Sequence, residues 1–525
     1  MPSVKDNQND VKAVVKTDLL IPFLKYLIFA VAAGCIVYLS LMSNDLVNHV
    51  DGIWHPSHFI AGDWEISLGR GLQRYADRAR FGLVTSSWNS VLYIVLVGFA
   101  DCMLIERFRL KDTFFSYLFV FITVANPVVC ESLTYSYMSL NFALAYFFSV
   151  LAFFFMSGRG KTKNEIIKDL VPAIIAFAVS MAFYQAYISV FAVLSVFWII
   201  AFIDEESDIK PIGTEIVKVL ITFVLGGALY MLITKLLLFR AGVEMASYRG
   251  ADDISLIGII ANLPAGIIQA VKETATYIYI NKLQTAGLEF SVIVVICLSI
   301  ACAIVAVMEF IDCFKRKKAA AFLFIVMIIL LPIAASVICL IAVGSGISGL
   351  MAMGILISIP MFYTIAGKKN WTKIMLNACL ILFAWYLVSA IETDQIALKE
   401  GITATKTIAN NAYKEACSEY TEDEYDSIAF VGRTAENSLF YMSPVYDMAN
   451  GYAQFGRWST GSRNNRVTWI GVMNMLCGSE IDFCDEEAYR NIVEGDEIKN
   501  MPVYPQKGYI KLIDDVLVIK ISDCY

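Results

Sequence analysis

Residues 170–203 read LVPAIIAFAVSMAFYQAYISVFAVLSVFWIIAFI, 34 positions without Asp, Glu, Lys, Arg or His. A bilayer-spanning helix needs about 20 apolar residues, so this run exceeds one ordinary span and suits two closely joined ones. The break is expected at FYQAY, 183–187, where Tyr184 and Gln185 interrupt the aliphatic pattern. Polar groups at such a break either bind a ligand or satisfy the backbone that the break frees.

The rest of the chain follows suit. Hydrophobic residues make up 58% and charged ones 17%, which excludes a soluble enzyme or a nucleic-acid binder. Hydropathy predicts a polytopic α-helical membrane protein with about 11 transmembrane helices: 19–43, 88–105, 113–128, 138–157, 170–185, 187–203, 215–239, 290–312, 320–343, 348–366 and 373–392. No small-residue cleavage pattern follows the first run, which is read as a retained helix. With residues 1–18 cytoplasmic, the inner segments carry roughly 20 basic residues against about 8 outside, including KRKK at 315–318 and GKKNWTK at 367–373. The expected localisation is the cytoplasmic (inner) membrane, multi-pass, with 19–392 as the membrane domain and 393–525 extracytoplasmic.

Two outer loops are long, 44–87 and 240–289. In SLGRGLQRYADRARFGL, 67–83, apolar residues recur at helical spacing while Arg70, Arg74 and Arg78 share another face, predicting an amphipathic helix in the headgroup plane. ISLIGIIANLPAGIIQAV, 254–271, is apolar but holds Pro264, and is expected to be re-entrant or interfacial. The tail carries 12 Lys and Arg against 21 Asp and Glu. It reads as an acidic α/β domain: a helix over 394–419, strands at 427–432 and 516–522, and helices between. Its Cys417, Cys477, Cys484 and Cys524 allow three disulfide pairings, or stay free thiols. Its stretch YAQFGRWSTGSRNNR, 452–466, mixes aromatics with arginines and suits either an anionic glycan or solvent.

The first outer loop concentrates the titratable groups. NDLVNHVDGIWHPSHFIAGDWEISLGRG, 44–71, holds all three histidines, His49, His55 and His58, with Asp45, Asp51, Asp63, Glu65 and Arg70. A partly desolvated carboxylate beside a membrane has a raised pKa and accepts protons; its alternative is a hydrated cap on the helix exit. A guanidinium matches two phosphate oxygens at once. Lipid anchoring accounts for Arg74, Arg78 and Arg80, whereas Arg70 follows a glycine. The spacing of the histidines matches no tight ligand pattern, so the sequence requires no cofactor and leaves a divalent metal open. Glu131, after Pro127, faces either a cavity or a hydrated rim.

HVDGIWH (49–55) and WEISLGRG (64–71) resemble the first outer loop of the type II glucosyltransferases, the serotype-converting O-antigen enzymes and their bacterial relatives. The likeness continues at NPVVCESLTYSYMSLNFALAYFFSVLAFF (126–154), AFYQAYISV (182–190) and MPVYPQKGYIKLIDDVLVIKIS (501–522). Family members usually read Gly-Arg-Trp where this chain has Gly69-Arg70-Gly71. The resemblance implies a GT-C-like architecture that moves a hexose, by expectation glucose, from a polyprenyl-phosphate sugar to a lipid-linked or surface glycan. It also implies a donor-lipid synthase and a flippase as partners, with membrane lipids around. By position, Asp51 is the leading catalytic acid and Asp45 the second. Trp54, His55, Glu65, Arg70, Arg74, Glu131, Tyr184 and Gln185 are the expected substrate-binding residues, with Glu65 orienting Arg70 or touching sugar hydroxyls. The alternatives are a GT-C transferase for another sugar or acceptor, and a transporter or flippase for lipid-linked glycans. The latter is disfavoured by the scarcity of deep charges and of paired repeats.

Overall fold

The computed structural model describes residues 23–49, 51–55, 57–110, 113–160, 162–205, 209–247, 256–281, 289–342, 344, 346–366 and 369–525. Among the described residues, nine helices are long and apolar enough to cross a membrane, and two shorter apolar ones, Phe23–Val37 and Met353–Ile365, accompany them. These shorter helices occupy the expected spans 19–43 and 348–366. Lipid-type exposure is evident on Ile209–Ala241, where Val224, Leu236 and Phe239 face outward, as suits a helix whose surroundings are apolar. The span from Gln185 to Asp204 is the most enclosed.

The long apolar run breaks at the expected place. Helix Lys163–Phe183 stops, Tyr184 is extended, Gln185–Tyr187 form a 3-10 turn, and Ile188–Glu205 continues. The first helix also breaks, at Tyr38, and the buried Gln395 repairs it. Gln395 Oε1 accepts from Leu41 N at 2.8 Å and its Nε2 donates to Val37 O at 2.9 Å. Small residues allow this helix to approach the next one closely: a Cβ on Gly34 would strike Ile94, and one on Gly98 would strike Ala30.

Two expectations change. Pro264 does not interrupt its segment: Leu256–Thr276 is one helix, docked by Thr274 Oγ1, which donates to Pro332 O at 2.9 Å. The flanking parts of the expected loop, 248–255 and 282–288, lie outside the described residues. The boundary at 392/393 is not structural either. Asn370–Glu419 is a single 50-residue helix, about 75 Å long. Hydropathy fades after Ile391, but the polar residues that follow change the helix's surroundings, not its conformation.

That helix carries the tail domain, whose three-stranded sheet has the order β1 (Ser427–Val431), β3 (Val516–Lys520), β2 (Ile510–Ile513). β1 runs parallel to β3 and β2 antiparallel to it. Residues alternate across the sheet: Ile428, Phe430, Leu517 and Ile519 join the main core, while Ala429, Val431, Val516 and Val518 bury against Tyr489 and Ile492. Burial on both faces explains why β3 reads as a continuous apolar run. β2 was not expected; it forms because Asp514 and Asp515 adopt positive φ, 46° and 63°, and close a two-residue hairpin. All four tail cysteines are free. The domain packs back onto the first loop: a Cβ on Gly471 would lie 2.7 Å from Ile53 O, and the ring of His49 stands 6.1 Å from that of Phe455. Tail and first loop therefore share one end of the helix bundle.

Candidate active site

Asn48 builds the turn that presents Asp51. Its buried amide donates to Thr134 Oγ1 at 3.0 Å, and its Oδ1 accepts from the backbone N–H of Asp51 and of Gly52, both at 3.1 Å. A side chain at position 52 would lie 2.4 Å from Thr134 O, which accounts for the glycine after Asp51. The Asp51 carboxyl is thus held half-buried beside the body. Burial raises its pKa above the ordinary value, Arg70 opposes that rise, and Glu65 adds to it.

Arg70 is placed by a helix terminus. The segment 67–83 is not one amphipathic helix but the flank of two short ones, Asp63–Ser67 and Gln73–Ala79. The expected Arg70–Arg74–Arg78 stripe is therefore split. Gly69 takes φ +75°, its N–H bonds to Ile66 O and that of Arg70 to Glu65 O, both at 2.9 Å. This is a Schellman ending, and it sets Arg70 at the first position beyond it. A Cβ on Gly69 would meet Tyr230 Oη at 2.3 Å. A Cβ on Gly71 would meet Leu237 Cδ1 at 2.4 Å, so Leu237 fills the space next to position 71.

The Arg70 guanidinium lies 4.8 Å from the centroid of the Tyr184 ring, and its buried Nε has no partner. Tyr184 packs edge-on to Phe142 at 4.9 Å. Gln185 braces the same turn: its Nε2 donates to Leu68 O at 2.7 Å and to Tyr230 Oη at 2.9 Å. The helix break is thus the platform under Arg70. Beside it, His55, Phe59 and Tyr137 form an aromatic wall, with ring centroids 4.2 Å (His55–Phe59), 4.5 Å (His55–Tyr137) and 4.7 Å (Phe59–Tyr137) apart. Tyr137 feels the charges of Asp51, Arg70 and Glu65, so these four groups share one neighbourhood. Trp54, half-buried, follows Asp51 in the 3-10 turn with its Nε1–H unpartnered.

The other candidates sort by their partners. Asp45 is exposed with φ 48° and closes the first helix, since Leu46 N bonds to Leu41 O; it is a cap. Glu65 Oε2 accepts from Gly62 N at 2.7 Å and caps its own helix while remaining near Asp51. Arg74 is engaged by Ala61 O and by Asp63, each at 2.8 Å. Arg80, expected at the lipid headgroups, is instead buried, ion-paired to the fully buried Asp77 at 2.9 Å. Arg78 is exposed. Glu131 sits against Gly349, where a Cβ would lie 1.6 Å from its Oε2, and acts on Tyr135 and Tyr277.

The three histidines diverge. Burial, with Arg433, pushes His49 down to about 4, and burial alone does the same to His55; His58 is exposed against Gly82. Among the described residues no group of three or more His, Cys, Asp and Glu is placed to hold a metal ion.

Sequence reading missed three contributors. Asn48 had a signal, an Asn three residues before the acid, which is turn spacing. Tyr137 lay inside a quoted segment but without local distinction. Tyr230, in the middle of an apolar helix, had none.

The family model Glucosyl transferase GtrII matches residues 39–359. The chain belongs to this family. The match contains Asp51, Glu65, Arg70, Glu131, Tyr184, Gln185 and Tyr230, and stops before the long helix and the tail. No curated protein and no solved structure matches the chain. As a GtrII member the protein is a glycosyltransferase, and its long apolar helices fit a multi-pass membrane protein.

Proposed function

We propose that the protein transfers glucose from a polyprenyl-phosphate sugar to a hydroxyl of a cell-surface glycan, at the outer face of the cytoplasmic membrane and with inversion. The observation that supports this reading is the nearness of Asp51, a carboxyl whose pKa burial raises, to a guanidinium, Arg70, whose buried Nε–H is unpartnered. The tail domain shares the first loop's end of the bundle, so the positive-inside balance that puts the tail outside puts the site outside as well.

The acceptor oxygen attacks the anomeric carbon from the face opposite the phosphate. Its proton passes to Asp51, the bond from the anomeric carbon to the phosphate oxygen breaks, and the polyprenyl phosphate leaves with its new charge held by Arg70. A positioned base contributes about 10²–10⁴-fold to such a step, and a fixed cation at the leaving oxygen stabilises charge where it develops. The His55–Phe59–Tyr137 wall, with His55 neutral, offers the sugar an apolar face. A groove of about 640 Å³ along the outer part of Asn370–Glu419, walled by Ile396, Ile408 and Leu439 with Thr403, Thr407, Tyr441, Lys399 and Glu400 among them, is a place at which the acceptor could dock.

Membranes containing the protein, supplied with polyprenyl-phosphate glucose and acceptor, should yield glucosylated product, whereas UDP-glucose in washed membranes should yield none. Equal transfer from the nucleotide sugar would remove the lipid donor from the account.

A further inference from the structure

The first loop turns one apolar corner outward that the transfer reaction does not use. Helix Gln73–Ala79 ends as helix Asp63–Ser67 does. Gly82 N–H bonds to Asp77 O at 2.7 Å and Phe81 N–H to Arg78 O at 3.0 Å, the two bonds of a Schellman ending. The residue that takes the left-handed turn differs: it is Gly69, φ 75°, in the one and Phe81, φ 58°, in the other. Glycine adopts this conformation without steric cost, whereas a bulky side chain does so rarely. The Phe81 ring gains little inside the chain in return, for it is 80% exposed.

Its neighbours extend the corner. Segments 57–60 and 81–84 run antiparallel: Phe59 N–H bonds to Gly82 O at 2.8 Å, Val84 N–H bonds to Ser57 O at 2.9 Å, and His58 faces Leu83. Ile60 and Leu83 are exposed along with Phe81, while Val84 is buried and Phe59 joins the aromatic wall. This short ribbon thus has two sides, one toward the candidate site and one apolar and open to the surroundings.

The nature of those surroundings follows from the next helix. Ser86–Arg107 runs 22 residues, about 33 Å, enough to cross a hydrocarbon core of about 30 Å, so its first turn marks the membrane boundary. Trp88, in that turn, is 59% exposed, the placement of an interfacial aromatic. Phe81 precedes Ser86 by five residues, a length of chain that reaches at most about 18 Å. The apolar corner therefore stands at the headgroup layer, next to the exposed start of a membrane span.

We propose that Phe81, Leu83 and Ile60 insert into the boundary between headgroups and acyl chains of the adjoining leaflet. The ring that the chain leaves bare is then covered by lipid, which accounts for a phenylalanine where the neighbouring helix ending has glycine. Because Phe59 belongs to the same ribbon, the insertion also holds the aromatic wall at headgroup depth. This contact does not depend on which donor or acceptor the transfer reaction uses.

A diazirine-bearing phenylalanine placed at position 81, and in a second variant at position 83, tests the contact in vesicles of phosphatidylethanolamine and phosphatidylglycerol. After photolysis, mass spectrometry should find lipid adducts at both positions. They should be at least tenfold more frequent than with the same probe at Leu512, which is exposed on β2 of the tail domain. They should be comparable with those at Val224, on the outward face of Ile209–Ala241. Lipid adducts at 81 and 83 no more frequent than at 512, or adducts with protein in place of lipid, would overturn the proposal.

Discussion

Among the acid–arginine neighbours of the first loop, Asp77 with Arg80 and Asp51 with Arg70 differ most, and the difference bears on which of them serves the architecture. Asp77 and Arg80 are bonded at 2.9 Å and both are buried. Asp77 also accepts from Ala61 N at 3.0 Å, and Arg80 donates to Tyr137 O. Arg70 opposes the rise of the Asp51 pKa, yet among the described residues no ion pair closes between them, and the Arg70 guanidinium rests on a tyrosine face instead. Burial raises the pKa of both carboxyls. What differs is whether the local groups are already spent on one another. The pair that is spent holds the loop; the other is the one that the proposed function assigns to the substrate.

The comparison breaks most sharply with Asp51→Asn. Transfer should fall by about 10²–10⁴-fold while protein level in the membrane is unchanged, as quantitative immunodetection alongside the transfer assay would show. The raised pKa of Asp51 also fixes a sign for stability. A group of this kind stabilises the fold fully below its unfolded pKa, and that contribution is lost as pH rises through the raised folded value. At neutral pH, Asp51→Asn should therefore hold or raise Tm. Asp77→Asn should do the reverse: it leaves Arg80 buried and unpaired, costing about 3–5 kcal/mol, visible as a lower Tm and lower protein level. Replacing both Asp77 and Arg80 by apolar residues should recover much of that loss. The smallest of these effects belongs to Tyr230→Phe, which removes the hydroxyl braced by Gln185. It should cost about 1 kcal/mol and reduce transfer modestly, with KM for the lipid donor rising more than kcat falls.

Much of this architecture was legible in residues 170–203 and in the runs like it, because a bilayer imposes length and polarity on every span. The break at Tyr184 and Gln185 was readable for the same reason. The continuation of Asn370–Glu419 beyond the apolar stretch was not, since helix propensity has no marker where lipid gives way to water. The loop 44–71 announced its acids and arginines by composition, yet composition could not say that Gly69 would end a helix and turn Arg70 away from Arg74. The cap at Asp45 was one of the two readings that the sequence offered, but nothing in it told that Arg80 would meet Asp77 inside the protein. Those outcomes depend on φ at single residues and on partners such as Thr134 and Tyr230, far away in the chain.

The most direct test of the account is the pH dependence of kcat/KM for transfer in the parent protein and in Arg70→Gln. If Asp51 is the base and Arg70 its neighbour, the parent rate should fall as pH drops through the raised pKa of Asp51. In the variant that acid limb should move to higher pH, because the charge that lowers the Asp51 pKa is gone. An acid limb that stays in place when Arg70 is neutralised would contradict the convergence of these two residues on one site.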